Sequence, residues 1–483
     1  MNAKSSMKGC IKRGIIGLVV FELIIFFLIP VCREAELMAL YGTLNHYLLS
    51  SSAPLRTSQE PIALTAYGNT LSASVLQAFP DDHTYLFNTH NGALQVVLSN
   101  NEYLINADQY VYFTYHHDTL QSDTLAALRL SDNTPLWHHT FTPSPLSFTT
   151  QLQDGILFFA SAEEGGTGPS VLYAFSEQSG TMLWHYIVPQ SNGFFYTVNN
   201  GSVYILGRLG IEALSINNGT MRWFDQINTT GMYDIVTDNM NVYVLGEAIQ
   251  ALRTTDGQLL WTITQNRAPY PYFYYYLGLQ SGVLYTSDDR DGTNSEINAI
   301  RVQDGKIVWS VDLRVKYSNI YPQQDASTVV NIISFTKGNL YWLVNSDVYA
   351  FRGTDGQQSW HFQGQKTPVP NQSQDSQLLS AINGITYVQI YNNLVALQSS
   401  NGHQLWTIAL PALSNTKAAT NGADIFYGYV VHSSNVPPPP HFVLNVISAF
   451  PLYQCQNTIH LFALQAQTGM QQWQKRYTVA CTI

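Results

Sequence analysis

Three stretches of this chain hold residues with the chemistry to bind or react. In the acidic run from Ser287 to Glu296 (SDDRDGTNSE), Asp289, Asp291 and Gly292 fall in the D-x-D-G order that opens a calcium loop. Such a loop would begin on Ser287 and reach Asn298 at its twelfth position, where calcium needs a charged first ligand and a bidentate Glu. The run therefore reads as a solvated hairpin turn. His116 beside His117 and His138 beside His139 stand in strand-like sequence, where neighbours point to opposite faces, so neither pair chelates a metal by itself. The third stretch, YPYFYYY, carries Tyr270, Tyr272, Tyr274, Tyr275 and Tyr276. Aromatic rings bury much area at low entropic cost, so these five tyrosines are a candidate partner surface, with half of the run expected to fill core. The sequence contains no G-x-S-x-G elbow, phosphate-binding loop or H-E-x-x-H helix. No catalytic, cofactor-binding or metal-ligating residue is assigned.

The elements that would carry these residues come from a repeat. Aligned on tryptophan, LAALRLSDNTPLW, LYAFSEQSGTMLW, IEALSINNGTMRW, IQALRTTDGQLLW, INAIRVQDGKIVW, VYAFRGTDGQQSW, LVALQSSNGHQLW and LFALQAQTGMQQW end at Trp137, Trp184, Trp223, Trp261, Trp309, Trp360, Trp406 and Trp473. Ten residues before each stands Ala127, Ala174, Ala213, Ala251, Ala299, Ala350, Ala396 or Ala463. Four residues before seven of them stands Gly180, Gly219, Gly257, Gly305, Gly356, Gly402 or Gly469, with Asn133 in the first unit. The L-x-A-L start alternates as a strand does, and the Asn-Gly, Asp-Gly or Ser-Gly pair supplies the positive φ angles of a tight hairpin. The returning strand then presents Trp to cover the join between neighbouring units.

The tryptophan spacings of 47, 39, 38, 48, 51, 46 and 67 residues average 48, the size of a four-stranded propeller blade. Strands rich in aromatic and β-branched residues precede the motifs, among them YVYFTY, SVYIL, NVYVL, GVLYTS and LYWLV. The expected fold is an all-β, eight-bladed β-propeller, for which residues 99 to 483 supply the length. The segment YLFNTHNGALQV (85 to 96) reads as a degraded motif, with Leu86 at the Ala position and Val96 at the Trp position, serving as an extra hairpin or as part of the ring closure. Cys455 and Cys481 flank the last motif and are a possible disulfide, worth about 3–4 kcal/mol in the chain-entropy model. VPPPP (436 to 440) reads as a surface loop in that blade.

Residues 1–13 carry four positive charges and precede the apolar run 14–32, which reads as one transmembrane helix preceding the propeller. The positive-inside rule makes 1–13 a cytoplasmic tail and places the body outside. Residues 33–60 read as a juxtamembrane stalk and linker, and 61–483 as the propeller. The expected location is the cell membrane, as a single-pass protein with an extracytoplasmic body. The whole chain has a net charge of −10, and without its first thirteen residues it is still more acidic. Lysine and arginine are not clustered, which argues against nucleic acid as a partner.

At these motifs the chain resembles the pyrroloquinoline-quinone (PQQ) repeat propellers, whose repeat is commonly written A-x-D-x-x-x-T-G-x-x-x-W. That family contains quinoprotein dehydrogenases and non-enzymatic scaffolds of the BamB type. Two residues after the motif Ala, where the family often has Asp, this chain has Arg129, Ser176, Ser215, Arg253, Arg301, Arg352, Gln398 and Gln465. No two cysteines are adjacent, whereas the alcohol dehydrogenases of the family carry a vicinal pair over the quinone. The resemblance implies a non-catalytic platform that binds a protein, peptide or glycan, with no cofactor expected. The alternative it implies is a membrane-bound, PQQ- and calcium-dependent oxidoreductase.

Overall fold

The computed structural model describes residues 56–60, 62–75, 83–98, 102–107, 111–119, 122–141, 145–163, 170–189, 194–229, 231–264, 273–289, 294–316, 331–336, 338–344, 346–364, 377–410, 417–434 and 455–480. They form a propeller of nine blades, each an antiparallel sheet whose four strands follow in chain order. The blades span 62–98, 102–141, 145–188, 195–225, 232–264, 273–312, 331–362, 377–409 and 417–480, and are called blades 1 to 9. The expectation of eight is thus corrected to nine: the hairpin at 85–96 belongs to a complete first blade, Ile62–Tyr67, Thr70–Val75, His83–Asn88 and Leu94–Leu98. Counting by tryptophan missed it because Val96 replaces the indole. The length arithmetic concealed the error, because the connections within blade 9 inflate the mean spacing. The apolar run 14–32 lies outside the described residues. Among those described, no helix is long and apolar enough to cross a membrane, and the one short helix is Leu313–Lys316.

A row of side chains across each sheet explains the repeat. In blades 2 to 9 the motif Ala on the third strand pairs directly with the motif Trp on the fourth, from Ala127 with Trp137 to Ala463 with Trp473. On the other side of each Ala, the second strand offers Phe113, Phe158, Tyr204, Tyr243, Tyr285, Tyr341, Tyr387 or Phe426. The rings meet the indoles at centroid distances of 5.9–6.1 Å. A methyl group between two large rings lets them touch across it. In blade 1 the same row is Ser72, Leu86 and Val96, with the bulk moved to the middle.

The motif turn is wider than a two-residue hairpin. In blade 5, Arg253 N–H donates to the Gln258 carbonyl and Gly257 N–H to the Arg253 carbonyl. Only the second member of the pair has positive φ, as at Gly257 (φ 77) and Asn133 (φ 60). The first member, such as Asp256 or Asn218, accepts the N–H two residues on through its side chain.

Blades join through the tryptophans. Each indole N–H donates to a carbonyl on the next blade, as from Trp137 to Glu177 at 2.8 Å and from Trp223 to Thr254 at 2.8 Å. The ring lies against the next blade's turn glycine: a Cβ on Gly257 would come within 2.5 Å of Trp223, and one on Gly180 within 2.4 Å of Trp137. The ring of blades closes the same way, with Trp473 donating to the Thr89 carbonyl of blade 1 at 2.8 Å and packing on Gly92. Residues Arg56–Glu60, read from sequence as the end of a linker, pair with Val430–Ser434 of blade 9. They continue the innermost edge beyond Lys417–Thr420, which pairs only with 425–428. Between blades 1 and 2 no indole is available, and Leu86, Val96, Leu98 and Leu130 form a small apolar cluster instead.

This joint offers a direct test. Alone, Val96→Trp is expected to destabilise by about 1–3 kcal/mol, because its ring would meet Leu86 and the Asn133 turn. Adding Leu86→Ala and Asn133→Gly should recover the loss, with a coupling free energy of at least about 1 kcal/mol in chemical denaturation. Strictly additive effects of the three changes would contradict this account of the joint.

Candidate functional site

Successive antiparallel strands divide the connections between two faces. Turns between first and second strands, and between third and fourth, are tight and lie on one face: Asn200–Gly201, Ser281–Gly282 and the nine motif turns are of this kind. The other strand ends lie on the opposite face, and the longer connections join strand ends there, as between Thr264 and Phe273 or between Ser434 and Cys455. First strands lie against one another at six of the nine joints, those of blades 2–3, 4–5, 6–7, 7–8, 8–9 and 9–1, so they form the inner wall.

The tight-turn face has a groove of about 530 Å³ lined by Asn339, Asn383, Gly384, Ile385, Gln398, Ser399, Ser400 and Leu405. It holds no acid, base or thiol. The Ser399 hydroxyl is bound to that of Thr386 at 2.8 Å, not to a histidine, so the groove has no nucleophile–base pair.

The inner wall of blades 4 to 6, at the end facing the long connections, carries a denser chemistry. Blade 4 contributes Tyr196, whose hydroxyl donates to the Thr149 carbonyl of blade 3 at 3.4 Å. Blade 5 contributes Tyr233, which donates to the Tyr274 carbonyl of blade 6 at 2.8 Å, and the half-buried Asp234. Blade 6 contributes Tyr275 and Tyr276, which are 36% and 38% exposed. The rings of Tyr233 and Tyr275 lie 5.4 Å apart and tilted by 46°. Register shifts at Met232/Asp234 and at Tyr276/Gly278 mark β-bulges in both inner strands, which re-aim side chains locally. Burial raises the Asp234 carboxyl above the usual carboxylate range, against the opposing effect of the Ile235 N–H it accepts at 2.8 Å. Burial also raises the Tyr276 phenol, and the Asp234 charge adds to that.

The sequence singled out five tyrosines, and the structure separates them. Tyr275 and Tyr276 stand on the inner wall, whereas Tyr274 is 4% exposed and packs between blades 5 and 6. Tyr270 and Tyr272 lie outside the described residues. Tyr233 and Asp234 were missed. They sit in TTGMYDIVTD, without an aromatic run to mark them, and only the neighbouring blade supplies their context. Elsewhere, His138 is exposed and His139 packs on Phe141 and Phe175 at 4.8 and 4.9 Å. Ser287 and Asp288 are buried, and Asp291 and Gly292 lie outside the described residues. Cys455 begins a strand of blade 9, while Cys481 lies outside the described residues.

The quinone and calcium implied by the dehydrogenase branch need carboxylate and amide oxygens held together. Among the described residues no group of three or more His, Cys, Asp or Glu could hold a metal ion. The arginines at the family's Asp position are occupied otherwise. Arg129, Arg253, Arg301 and Arg352 clamp Asp132, Asp256, Asp304 and Asp355 across the motif turns at 3.1, 2.9, 2.8 and 2.7 Å. Those four turn aspartates are thus already held by their own arginines.

A family model described as the outer membrane protein assembly factor BamB matches residues 168–293 and 247–438, together more than half of the chain. No curated protein matches the sequence. Among solved structures, BamB from Moraxella catarrhalis is similar at 14% identity, covering 65% of this chain and 90% of that one, with a TM-score of 0.41. Quinohemoprotein alcohol dehydrogenase ADHIIG from Pseudomonas putida HK5 is similar at 9% identity, covering 78% and 71%, with a TM-score of 0.39. Apo AztD from Citrobacter koseri is similar at 8% identity, covering 74% and 97%, with a TM-score of 0.42. These are remote likenesses.

The environment of Asp234 has a consequence for stability. Because the folded carboxyl titrates above its unfolded value, its contribution is present below the unfolded pKa and is lost as pH rises through the folded value. Asp234→Asn cannot ionise. It is expected to be more stable than the parent at pH 7 in urea denaturation, with the advantage shrinking as pH falls to about 4. A variant that is less stable at pH 7 and recovers in acid would show the opposite sign and refute the assignment.

Proposed function

This chain belongs to the PQQ-like β-propeller family whose model is described as the outer membrane protein assembly factor BamB, and from that premise we propose that it is a non-catalytic docking platform. It binds a protein or peptide partner on the face opposite the tight turns, around the inner wall of blades 4 to 6. One observation carries this reading: the partly exposed tyrosines Tyr233, Tyr275 and Tyr276 at the same end of the wall as the Asp234 carboxyl, with no nucleophile–base pair beside them among the described residues. Exposed, anchored aromatics supply contact area with little entropy to lose. Among the described residues, water and reactants have no activated group to meet there. We place the propeller outside the cytoplasm, a reading that rests on the charge and hydropathy of residues 1 to 36 alone.

A photocrosslinking side chain placed at Tyr275 in cells is expected to capture one discrete protein species. The same side chain at Ser400, on the tight-turn face, should not. Equal capture from both faces, or none from Tyr275, contradicts the platform. Purified protein mixed with PQQ and calcium should yield neither a bound chromophore nor dye-linked oxidation. Either would restore the oxidoreductase.

A further inference from the structure

The inner wall carries a carboxyl that no cationic side chain among the described residues meets, and we propose that it receives one basic side chain: the guanidinium or ammonium head of an arginine or lysine presented by the docked peptide. The inference deepens the platform reading and rests on it for the peptide, though the pocket's preference for a cation can be measured alone. Asp234 is the centre. One of its oxygens accepts the Ile235 N–H at 2.8 Å, and no lysine, arginine or histidine among the described residues pairs with it. Charges taken out of water are ordinarily paired, because desolvation penalises a lone carboxylate. Four of the chain's arginines are committed to their own turn aspartates, so the missing counter-charge is not supplied by the repeat.

What surrounds Asp234 selects the kind of cation. Tyr276 lies close enough to feel its charge. The Tyr233 and Tyr275 rings, 5.4 Å apart, flank the same end of the wall. Tyr233 is held in place by its hydroxyl, which donates to the Tyr274 carbonyl at 2.8 Å, so its ring is a fixed wall. A carboxylate at the same end of the wall as these electron-rich rings suits an organic cation with a flat or rounded head, which can gain from both. It does not suit calcium, which takes six to eight oxygens, and no acidic cluster for such an ion exists among the described residues. The acidic balance of the chain, −10 overall, adds a long-range field of the matching sign. The bulges at Tyr233 and Leu277 turn both inner strands at the place where these side chains emerge.

The full chain can be titrated calorimetrically with two blocked tripeptides, acetyl-Gly-Arg-Gly-amide and its citrulline counterpart, which keeps the shape and removes the charge. The arginine peptide is expected to bind saturably and the citrulline peptide about tenfold more weakly or not at all. Asp234→Asn should lose about tenfold in affinity for arginine while leaving citrulline unchanged, and Tyr276→Leu should lose severalfold. Melting temperatures near the parent's would show that both variants fold. Should one fail to fold, the charge comparison on the parent protein still decides. Equal binding of the two peptides, no saturable binding of either, or undiminished arginine binding by Asp234→Asn overturns the site. Partner capture that survives Asp234→Asn removes the site and leaves the platform. Charge-dependent binding without any captured partner leaves the site and removes the platform.

Discussion

One indole on each of eight blades lies on a glycine of the next blade and donates its N–H to a carbonyl beside it, and the ring depends on that contact. A buried indole removes a large apolar area from water and gives direction to the joint through its hydrogen bond. Truncating such a ring typically costs about 3–5 kcal/mol. The rest of the repeat follows from it. Alanine on the neighbouring strand clears space between the indole and the aromatic ring beyond it. Glycine on the next blade clears space beneath it. The turn before each tryptophan sets the register that puts the ring at the joint.

Blade 1 shows that these residue choices are linked. Its tryptophan position holds Val96, its alanine position holds Leu86, and its second-strand aromatic is Ser72. The next blade is the one whose turn glycine is replaced, by Asn133. Asparagine tolerates positive φ, so backbone geometry alone admits Asn at this turn. Glycine is needed where an indole lies above it, and across this one joint no indole does.

The blade architecture was legible in the sequence because Trp, Ala and Gly recur at fixed offsets, each for a steric reason. The blade count was not, because a blade that solves the packing with Ser72, Leu86 and Val96 carries no tryptophan to align on. The Tyr270 to Tyr276 run leads into the inner strand of blade 6, yet Tyr274 packs into the core while Tyr275 and Tyr276, next to the bulge at Leu277, are partly exposed on the wall. Tyr233 and Asp234 were invisible, since their role arises from a strand about forty residues away. Arg253 was visible as a departure from the family repeat. Its reason, the ion pair with Asp256 at 2.9 Å, appears only in the folded turn. An exposed pair of this kind is worth little stability; it marks the site as structural.

A matched pair of glycines isolates the indole contact from backbone strain. Gly257 and Gly384 have φ of 77° and 78°, but a Cβ on Gly257 meets Trp223 at 2.5 Å, whereas one on Gly384 meets nothing within 4 Å. Asparagine at either site faces the same backbone cost, so the difference between Gly257→Asn and Gly384→Asn in calorimetric melting measures the joint. The account predicts that Gly257→Asn is the less stable of the two by about 1–3 kcal/mol. Equal stabilities would mean that the glycine serves its turn alone and that the indole is not what fastens one blade to the next.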